Sequence, residues 1–125
     1  MNKKIGVVTG SSKGIGKAKV IAFAKSGEYF AVVTNARKLQ EAQTVSDEIR
    51  TLGCNSIPIE ADISKEADCV RLIEETIKTY NRIDVLVNNA GGYSKTYHLK
   101  KLQWIYGRKS WLWILQDLSY AAEKL

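Results

Sequence analysis

The sequence predicts an α/β protein built on a doubly wound parallel sheet. Short apolar runs alternate with longer segments whose apolar residues recur at the spacing of a helix. Strands that are joined through helices pair in parallel, and right-handed crossovers then place helices on both faces of the sheet. We therefore expect a sheet of about four strands in the order 3-2-1-4, followed by a divergent helical tail.

The first two strand–helix units occupy the region before Gly53. The first strand is expected at Ile5 to Thr9, and a helix from about Ile15 to Lys25 ends near Gly27. The second strand, Tyr29 to Thr34, is apolar nearly throughout, as a strand covered on both faces should be. The apolar positions of the second helix are Leu39, Ala42, Val45, Ile49 and Leu52.

Two further strands complete the expected domain, which covers residues 1–92. The third strand is predicted at Ser56 to Glu60 and the fourth at Ile83 to Val87. Ser64 is a candidate N-cap for the helix between them. The expected buried stripe of that helix consists of Val70, Ile73, Ile77 and Tyr80.

The turn after the first strand reads Thr9-Gly10-Ser11-Ser12-Lys13-Gly14-Ile15-Gly16. A strand that turns directly into a helix leaves the first N–H groups of that helix unpaired, and these donors attract a diphosphate. Gly10 permits the turn, Gly14 lets the backbone approach the phosphates, and Gly16 allows close packing of helix on strand. A glycine-rich structural turn is the alternative. The position between strand and helix favours a Rossmann-type dinucleotide site.

Three motifs in register resemble those of the short-chain dehydrogenase/reductase family. They are TGxxxGxG at residues 9–16, Asp62-Ile63 after the third strand, and Asn88-Asn89-Ala90-Gly91 after the fourth. The resemblance covers about three quarters of the chain and the first half of a typical member. It implies NAD(P)(H) bound across the strand ends, with adenine near Asp62 and Ile63 and the nicotinamide end near Asn88, Ala90 and Gly91. Alternatively, Asp62 could cap a helix, and Asn88 could stabilise neighbouring strands through hydrogen bonds. Both alternatives can coexist with the cofactor roles.

The residues after the second strand bear on the choice of cofactor. NAD-dependent enzymes usually carry an acidic residue there, but residues 34–38 contain no carboxylate. Arg37 offers a fork suited to a 2′-phosphate, and Lys13 resembles the basic residue of NADP-preferring members. NADP(H) is therefore favoured over NAD(H), although Arg37 and Lys38 could simply begin a solvated helix. The complete expected cofactor set is Gly10, Ser12, Lys13, Gly14, Ile15, Gly16, Asn35, Arg37, Asp62, Ile63, Asn88, Ala90 and Gly91.

Catalysis in the family uses a tyrosine whose pKa is lowered by a lysine four residues later on a helix. Tyr97 with Lys101 has this spacing but stands too near the Asn88–Gly91 motif. Tyr120 with Lys124 is the candidate pair, yet it follows Asn89 by only 31 residues, too few for the family's intervening helix and strand. The alternative is that both side chains lie on a helix surface.

Residues 93–125 differ in composition from the preceding domain. All three tryptophans, Trp104, Trp111 and Trp113, lie there. A helix is expected from about Ser110 to Lys124, with one apolar stripe that begins at Trp111. A second apolar surface of this helix, at Leu112 and Trp113, could join a partner or a second copy of the chain. A tail that covers its own sheet is equally open, whereas the basic residues are too sparse for a helix that lies on a membrane. A truncated or frameshifted reading of a longer gene would explain the change in composition.

Charge and cysteine content narrow the function classes. The net charge of +6 divides into +2 over residues 1–92 and +4 over residues 93–125. Because the excess lies in the tail and no nucleic-acid-binding motif accompanies it, a nucleic-acid surface is not expected. Cys54, Cys69 and the single His98 form no metal-binding pattern. The first apolar run is too short for a signal peptide or a membrane span. We expect a cytoplasmic protein without a metal.

Two hypotheses of function follow. The first is an oxidoreductase-family protein that transfers hydride between a nicotinamide cofactor and a carbonyl or alcohol substrate, and that is catalytically incomplete if Tyr120 and Lys124 do not serve. The second is a non-catalytic nucleotide-binding or assembly module whose Trp-rich tail contacts a partner.

Overall fold

Strands and helices alternate along the chain up to residue 88. The computed structural model describes residues 3–89 together with the backbone of two later strands, residues 95–105 and 110–115. The elements are β1 Lys4–Val8, α1 Gly14–Ser26, β2 Tyr29–Ala36, α2 Leu39–Thr51, β3 Asn55–Glu60, α3 Glu66–Tyr80, β4 Val85–Asn88, β5 Lys95–Ile105 and β6 Ser110–Leu115.

The sheet has the strand order β3-β2-β1-β4-β5-β6. Its first four strands are parallel, so the predicted order 3-2-1-4 is confirmed. Val7 at the centre of β1 is paired with Val33 of β2 on one side and Leu86 of β4 on the other. Because all four strands run the same way, their carboxyl ends lie at one edge of the sheet.

Each face of the parallel sheet has its own apolar cluster. On one face Val8 and Val32 pack with Val20 of α1 and with Val45 and Ile49 of α2. On the other face the neighbouring strand residues, Val7 and Val33, pack with Leu72 and Ile73 of α3. Successive side chains of a strand point to opposite faces, which explains why adjacent residues join different clusters.

Helix α3 agrees only in part with the prediction: Ile73 is buried and Ile77 and Tyr80 pack against the same apolar cluster, as expected, but the N-cap and the residues buried beside Ile73 differ. Its N-cap is Lys65, without a capping side chain, so Ser64 as N-cap is wrong. The buried residues are Leu72, Ile73 and Thr76, while Val70 is only half-buried. Thr76 is accommodated because its hydroxyl donates to the carbonyl oxygen of Leu72 at 2.8 Å.

Two antiparallel strands extend the sheet beyond β4. β5 pairs with β4, and β6 pairs with β5. The helix predicted from about Ser110 to Lys124 is therefore wrong over Ser110–Leu115, which form a strand. Aromatic and β-branched residues in this run favour a strand once an antiparallel partner is available. Leu112 and Trp113, expected to form a helical surface for a partner or a second copy, lie in this strand, so that helical surface is wrong. The remaining residues of the predicted helix lie outside the described residues.

No helix within the described part of the chain is long and apolar enough to span a bilayer.

Candidate nucleotide-binding site

The turn from β1 into α1 stands at the edge where the parallel strands end. Gly10 and Gly14 both have left-handed backbone, with φ of 58° and 61°, which favours glycine. A Cβ built on Gly14 would meet no atom within 4 Å, so this side of the turn is open. The backbone is thus exposed where the sequence places the phosphates.

Gly16 is required for a contact within the turn itself. A Cβ at this position would lie 2.3 Å from the carbonyl oxygen of Gly10 and 2.6 Å from Nδ2 of Asn89. The sequence interpretation assigned Gly16 to packing of helix on strand. The structure shows that the closest approach at Gly16 is to the turn and to Asn89 directly after β4, while α1 packs on the strands further along, through Val20.

The N-terminus of α1 has no negative partner supplied by its own sequence. Lys13 is the N-cap residue, it makes no capping hydrogen bond, and the first turn contains no acidic residue. The N–H groups of a first helical turn have no acceptor within the helix, and the helix dipole is positive there. Lys13 is exposed, Ser12 is half-buried and Ile15 is 66% exposed. This end of the helix fits an anionic group.

A network of hydroxyl and amide groups ties the turn to β4. Thr9 donates its hydroxyl to Oδ1 of Asn88 at 3.2 Å and accepts the backbone N–H of Asn89 at 2.9 Å. Nδ2 of Asn89 donates to the carbonyl oxygen of Gly10 at 3.1 Å. Asn88 therefore does serve as a tie between strands. The sequence analysis gives no role to Thr9 or Asn89. Two features could have indicated one: both residues belong to the family motifs, and the predicted pairing of β1 with β4 brings them together.

Asn35 lies below the turn rather than on its open side. It is 1% exposed, and its Oδ1 accepts the backbone N–H of Gly10 at 2.9 Å. Its Nδ2 donates to the carbonyl oxygens of Ile59 at 3.0 Å and Ala61 at 3.3 Å. In the structure Asn35 is a buried support of the site and not an exposed contact.

Asp62 begins the loop that follows β3. Its Oδ1 accepts both the N–H of Ser64 at 3.0 Å and the Ser64 hydroxyl at 2.6 Å, and these bonds hold the pKa of the carboxyl below its usual value. Smaller contributions in the same direction come from the positive charges of Lys65 and Arg37. The Asp62 carboxylate is therefore an ionised acceptor at neutral pH. Ile63 is partly buried against the adjoining apolar cluster.

The loop after β3 is fixed at its backbone as well. The N–H of Asp62 donates to Oδ2 of Asp68 at 2.7 Å, and the N–H of Lys65 donates to the carbonyl oxygen of Asp62 at 2.9 Å. Asp62 therefore shapes a turn before α3 but is not the N-cap of that helix.

Arg37 lies exposed directly after β2, at the same edge of the sheet. Glu60 at the end of β3 is paired in register with Ala36, and its carboxylate accepts the N–H of Leu39 at 3.0 Å. That carboxylate therefore satisfies a donor at the start of α2, while the Arg37 guanidinium remains at the surface.

Ala90, Gly91, Tyr120 and Lys124 lie outside the described residues. Tyr97 and Lys101 belong to β5. Four residues along a strand span about 13 Å, whereas the tyrosine–lysine pair of the family needs the one-turn spacing of a helix. The backbone therefore supports the exclusion of Tyr97 and Lys101 as the catalytic pair.

The comparison with protein families decides the classification. A model of the short chain dehydrogenase family matches residues 4–105. The chain belongs to this family. Its members are NAD(P)-dependent oxidoreductases and bind nicotinamide cofactors.

Among short-chain dehydrogenases, 11-beta-hydroxysteroid dehydrogenase-like 4A of Arabidopsis thaliana is 40% identical to the chain over 92 residues. The matched part is 73% of this chain and 30% of that relative. The chain thus spans about a third, rather than half, of such a relative.

Solved structures of the family give the same coverage. A hydroxysteroid dehydrogenase from Escherichia coli is 36% identical, with a TM-score of 0.67 over 71% of this chain and 37% of that one. The NADH-dependent reductase A1-R′, solved in complex with NAD, is 34% identical, with a TM-score of 0.62 over 73% of this chain and 37% of that one.

Proposed function

We propose that the chain binds a nicotinamide dinucleotide with its diphosphate against the β1–α1 turn. The observation that carries this proposal is the open side of Gly14 at a helix end with no acidic residue in its first turn. Backbone N–H groups, the helix dipole and the Lys13 charge all favour an anion there. Glycine at residue 14 leaves room for that anion to approach the backbone.

We extend the proposal to a preference for NADP(H). The Arg37 guanidinium suits a 2′-phosphate because its fork can make two parallel charge-assisted hydrogen bonds. The ionised Asp62 carboxylate suits the adenine amino group, which is a donor. Glu60, the acidic residue beside the end of β2, accepts the N–H of Leu39 through Oε2, which supports the proposal because this bond competes with a ribose hydroxyl for the carboxylate.

Calorimetric titration of the 125-residue chain with NADPH and with NADH tests both statements. We expect NADPH to bind more tightly, and Arg37→Ala to weaken NADPH roughly tenfold while leaving NADH unchanged. Lys25→Ala is the matched control, because it removes an exposed positive charge from the opposite end of α1. Equal loss for both cofactors would refute the role of Arg37, and no heat with either would refute the site.

We further propose hydride transfer to or from a carbonyl or alcohol carbon, with Tyr120 as proton donor and Lys124 as the cation that lowers its pKa. The nicotinamide supplies or accepts the hydride when bound. The chain must supply a proton to the developing alkoxide, and a tyrosine beside a lysine on one helix face can do so. Support for these two residues is their spacing alone.

Oxidation of NADPH with a panel of aldehydes and ketones tests the catalytic part. Turnover that is lost in Tyr120→Phe and kept in Tyr97→Phe would support it. Turnover that survives Tyr120→Phe would exclude Tyr120 as the acid. Cofactor binding without turnover on any carbonyl would favour the alternative, a non-catalytic nucleotide-binding module.

A further inference from the structure

The side chain of Asn35 makes three hydrogen bonds to two separate backbone segments. Its Oδ1 reaches the turn after β1 at Gly10, and its Nδ2 reaches Ile59 within β3 and Ala61 directly before Asp62. The Asn35 side chain itself is buried. One amide therefore joins the loop proposed for the diphosphate to the loop proposed for adenine.

The bonding pattern requires an amide of this length. Both protons of Nδ2 are donated to carbonyl oxygens, and Oδ1 accepts an N–H. An aspartate would place a carboxylate against two carbonyl oxygens and would have no proton to donate when ionised. A leucine of similar volume would leave the Gly10 N–H and two carbonyls buried without this partner, which is costly.

A second set of bonds fixes the backbone of Asn35 to the same turn. The N–H of Ser11 donates to the carbonyl oxygen of Asn35 at 2.8 Å, and the N–H of Asn35 donates to the Ser11 hydroxyl at 2.9 Å. Ser11 is fully buried. The end of β2 and the turn after β1 are thus held together by side-chain and backbone bonds in both directions.

We propose that Asn35 is a positioning residue that sets the separation between the β1–α1 turn and the Asp62 loop, so that one dinucleotide meets both. This inference rests on the proposed cofactor site. A ligand that spans two contacts gains affinity only when both are held at the right distance, since ordering either loop on binding costs free energy. Asn35 acts through Gly10 and Ala61 and has no need to touch the cofactor.

Binding of a whole dinucleotide and of a fragment by the full chain distinguishes positioning from general stability. The probes are NADP⁺ and 2′-AMP, which reaches only the adenine end. Asn35→Ala should weaken NADP⁺ roughly tenfold and change 2′-AMP by less than about twofold. The control is Ser46→Ala, which removes hydrogen bonds to Thr34 and Ser56 between α2 and the sheet but touches neither loop.

Each outcome bears on the proposal. Loss of NADP⁺ affinity in Asn35→Ala alone, with 2′-AMP retained, supports it. Equal loss of both ligands, or an equal loss in Ser46→Ala, shows a structural role and overturns it. If Asn35→Ala does not fold, Ser11→Ala takes its place with the same expectation, and failure of both to fold also overturns it. Absence of NADP⁺ binding by the unsubstituted chain would instead refute the proposed function.

Discussion

Glycine residues 14 and 16 belong to the same motif but are needed for different physical reasons. Gly14 faces open space and is constrained only by its left-handed backbone, whereas Gly16 has normal helical placement and no room for a side chain. The sequence predicted that both matter, because their spacing after a strand is specific. It could not identify the Gly10 carbonyl and Asn89 as the groups that exclude a Cβ at Gly16, since these contacts depend on the exact backbone path of the turn and on the position of the Asn89 side chain.

Alanine at each glycine should therefore have distinct effects. Gly16→Ala forces the Gly10 carbonyl or α1 to move, and we expect it to lower the free energy of unfolding by about 1–3 kcal/mol and to weaken cofactor binding. Gly14→Ala should cost about 1 kcal/mol from its positive φ. Urea unfolding and NADPH titration measure both. A Gly16→Ala protein as stable as the original would contradict the packing described for the turn.

The titration of Asp62 is a second prediction at the residue scale. The hydroxyl and the backbone N–H of Ser64 both stabilise the ionised form, and Ser64→Ala removes only the hydroxyl, so it should raise the pKa of Asp62 part of the way toward the ordinary aspartate value. A depressed pKa contributes stability above the pKa of the unfolded state, and this contribution is lost as pH falls through the folded-state pKa. The acid side of the stability curve should therefore be less steep in Ser64→Ala. NMR titration of the Asp62 carboxyl would disprove this by giving the same pKa in both proteins.

At the scale of elements, the sequence predicted every strand and helix through β4 to within a few residues. These elements could be predicted because the spacing of apolar residues shows which side of a strand or helix is buried. The buried face of α3 was predicted in part. Ile73, Ile77 and Tyr80 pack against the apolar cluster as expected, but Leu72 and Thr76 are buried whereas Val70 is only half-buried. A threonine that bonds its own helix backbone can occupy the core, and a pattern of apolar letters does not show this. The strand at Ser110–Leu115 was missed because its partner β5 lies in the same divergent segment.

Truncation of two α3 residues tests its orientation. Leu72→Ala should lower the free energy of unfolding by about 3 kcal/mol, because it leaves a cavity beneath the sheet. Val70→Ala, the matched control at a half-buried position, should cost about 1 kcal/mol or less. Thermal or urea unfolding provides the comparison. A larger loss for Val70→Ala would favour the orientation predicted from sequence.

At the scale of the whole molecule, cofactor binding and folding are linked through the parallel sheet. The candidate site consists of loops from β1, β2, β3 and β4, so it exists only when those strands are paired. A ligand that binds only the folded state stabilises the entire domain. The family motifs allowed the loops to be predicted individually. The buried Asn35 bonds that join them could not be predicted, because they cross three strands.

The rate at which the Cys54 thiol is labelled can measure the linkage between cofactor binding and folding. The thiol is buried in the cluster beneath α1 and α2, and desolvation raises its pKa, so it should remain protonated and unreactive at neutral pH. In a Cys69→Ser background, labelling of Cys54 by a thiol reagent should require opening of the domain. Saturating NADPH should slow that labelling in proportion to the stability it adds. Rapid labelling that NADPH does not affect would contradict the linkage.

The central claim is that a dinucleotide diphosphate binds the bare amides at the start of α1. The most direct measurement is a titration of the ¹⁵N-labelled chain with NADP⁺, followed through its backbone amide resonances. We expect the largest shifts at Ser12 to Gly16, with residues near Lys25 unchanged. Saturable binding that leaves the amides of Ser12 to Gly16 unshifted, or no shift anywhere at millimolar NADP⁺, would contradict the account.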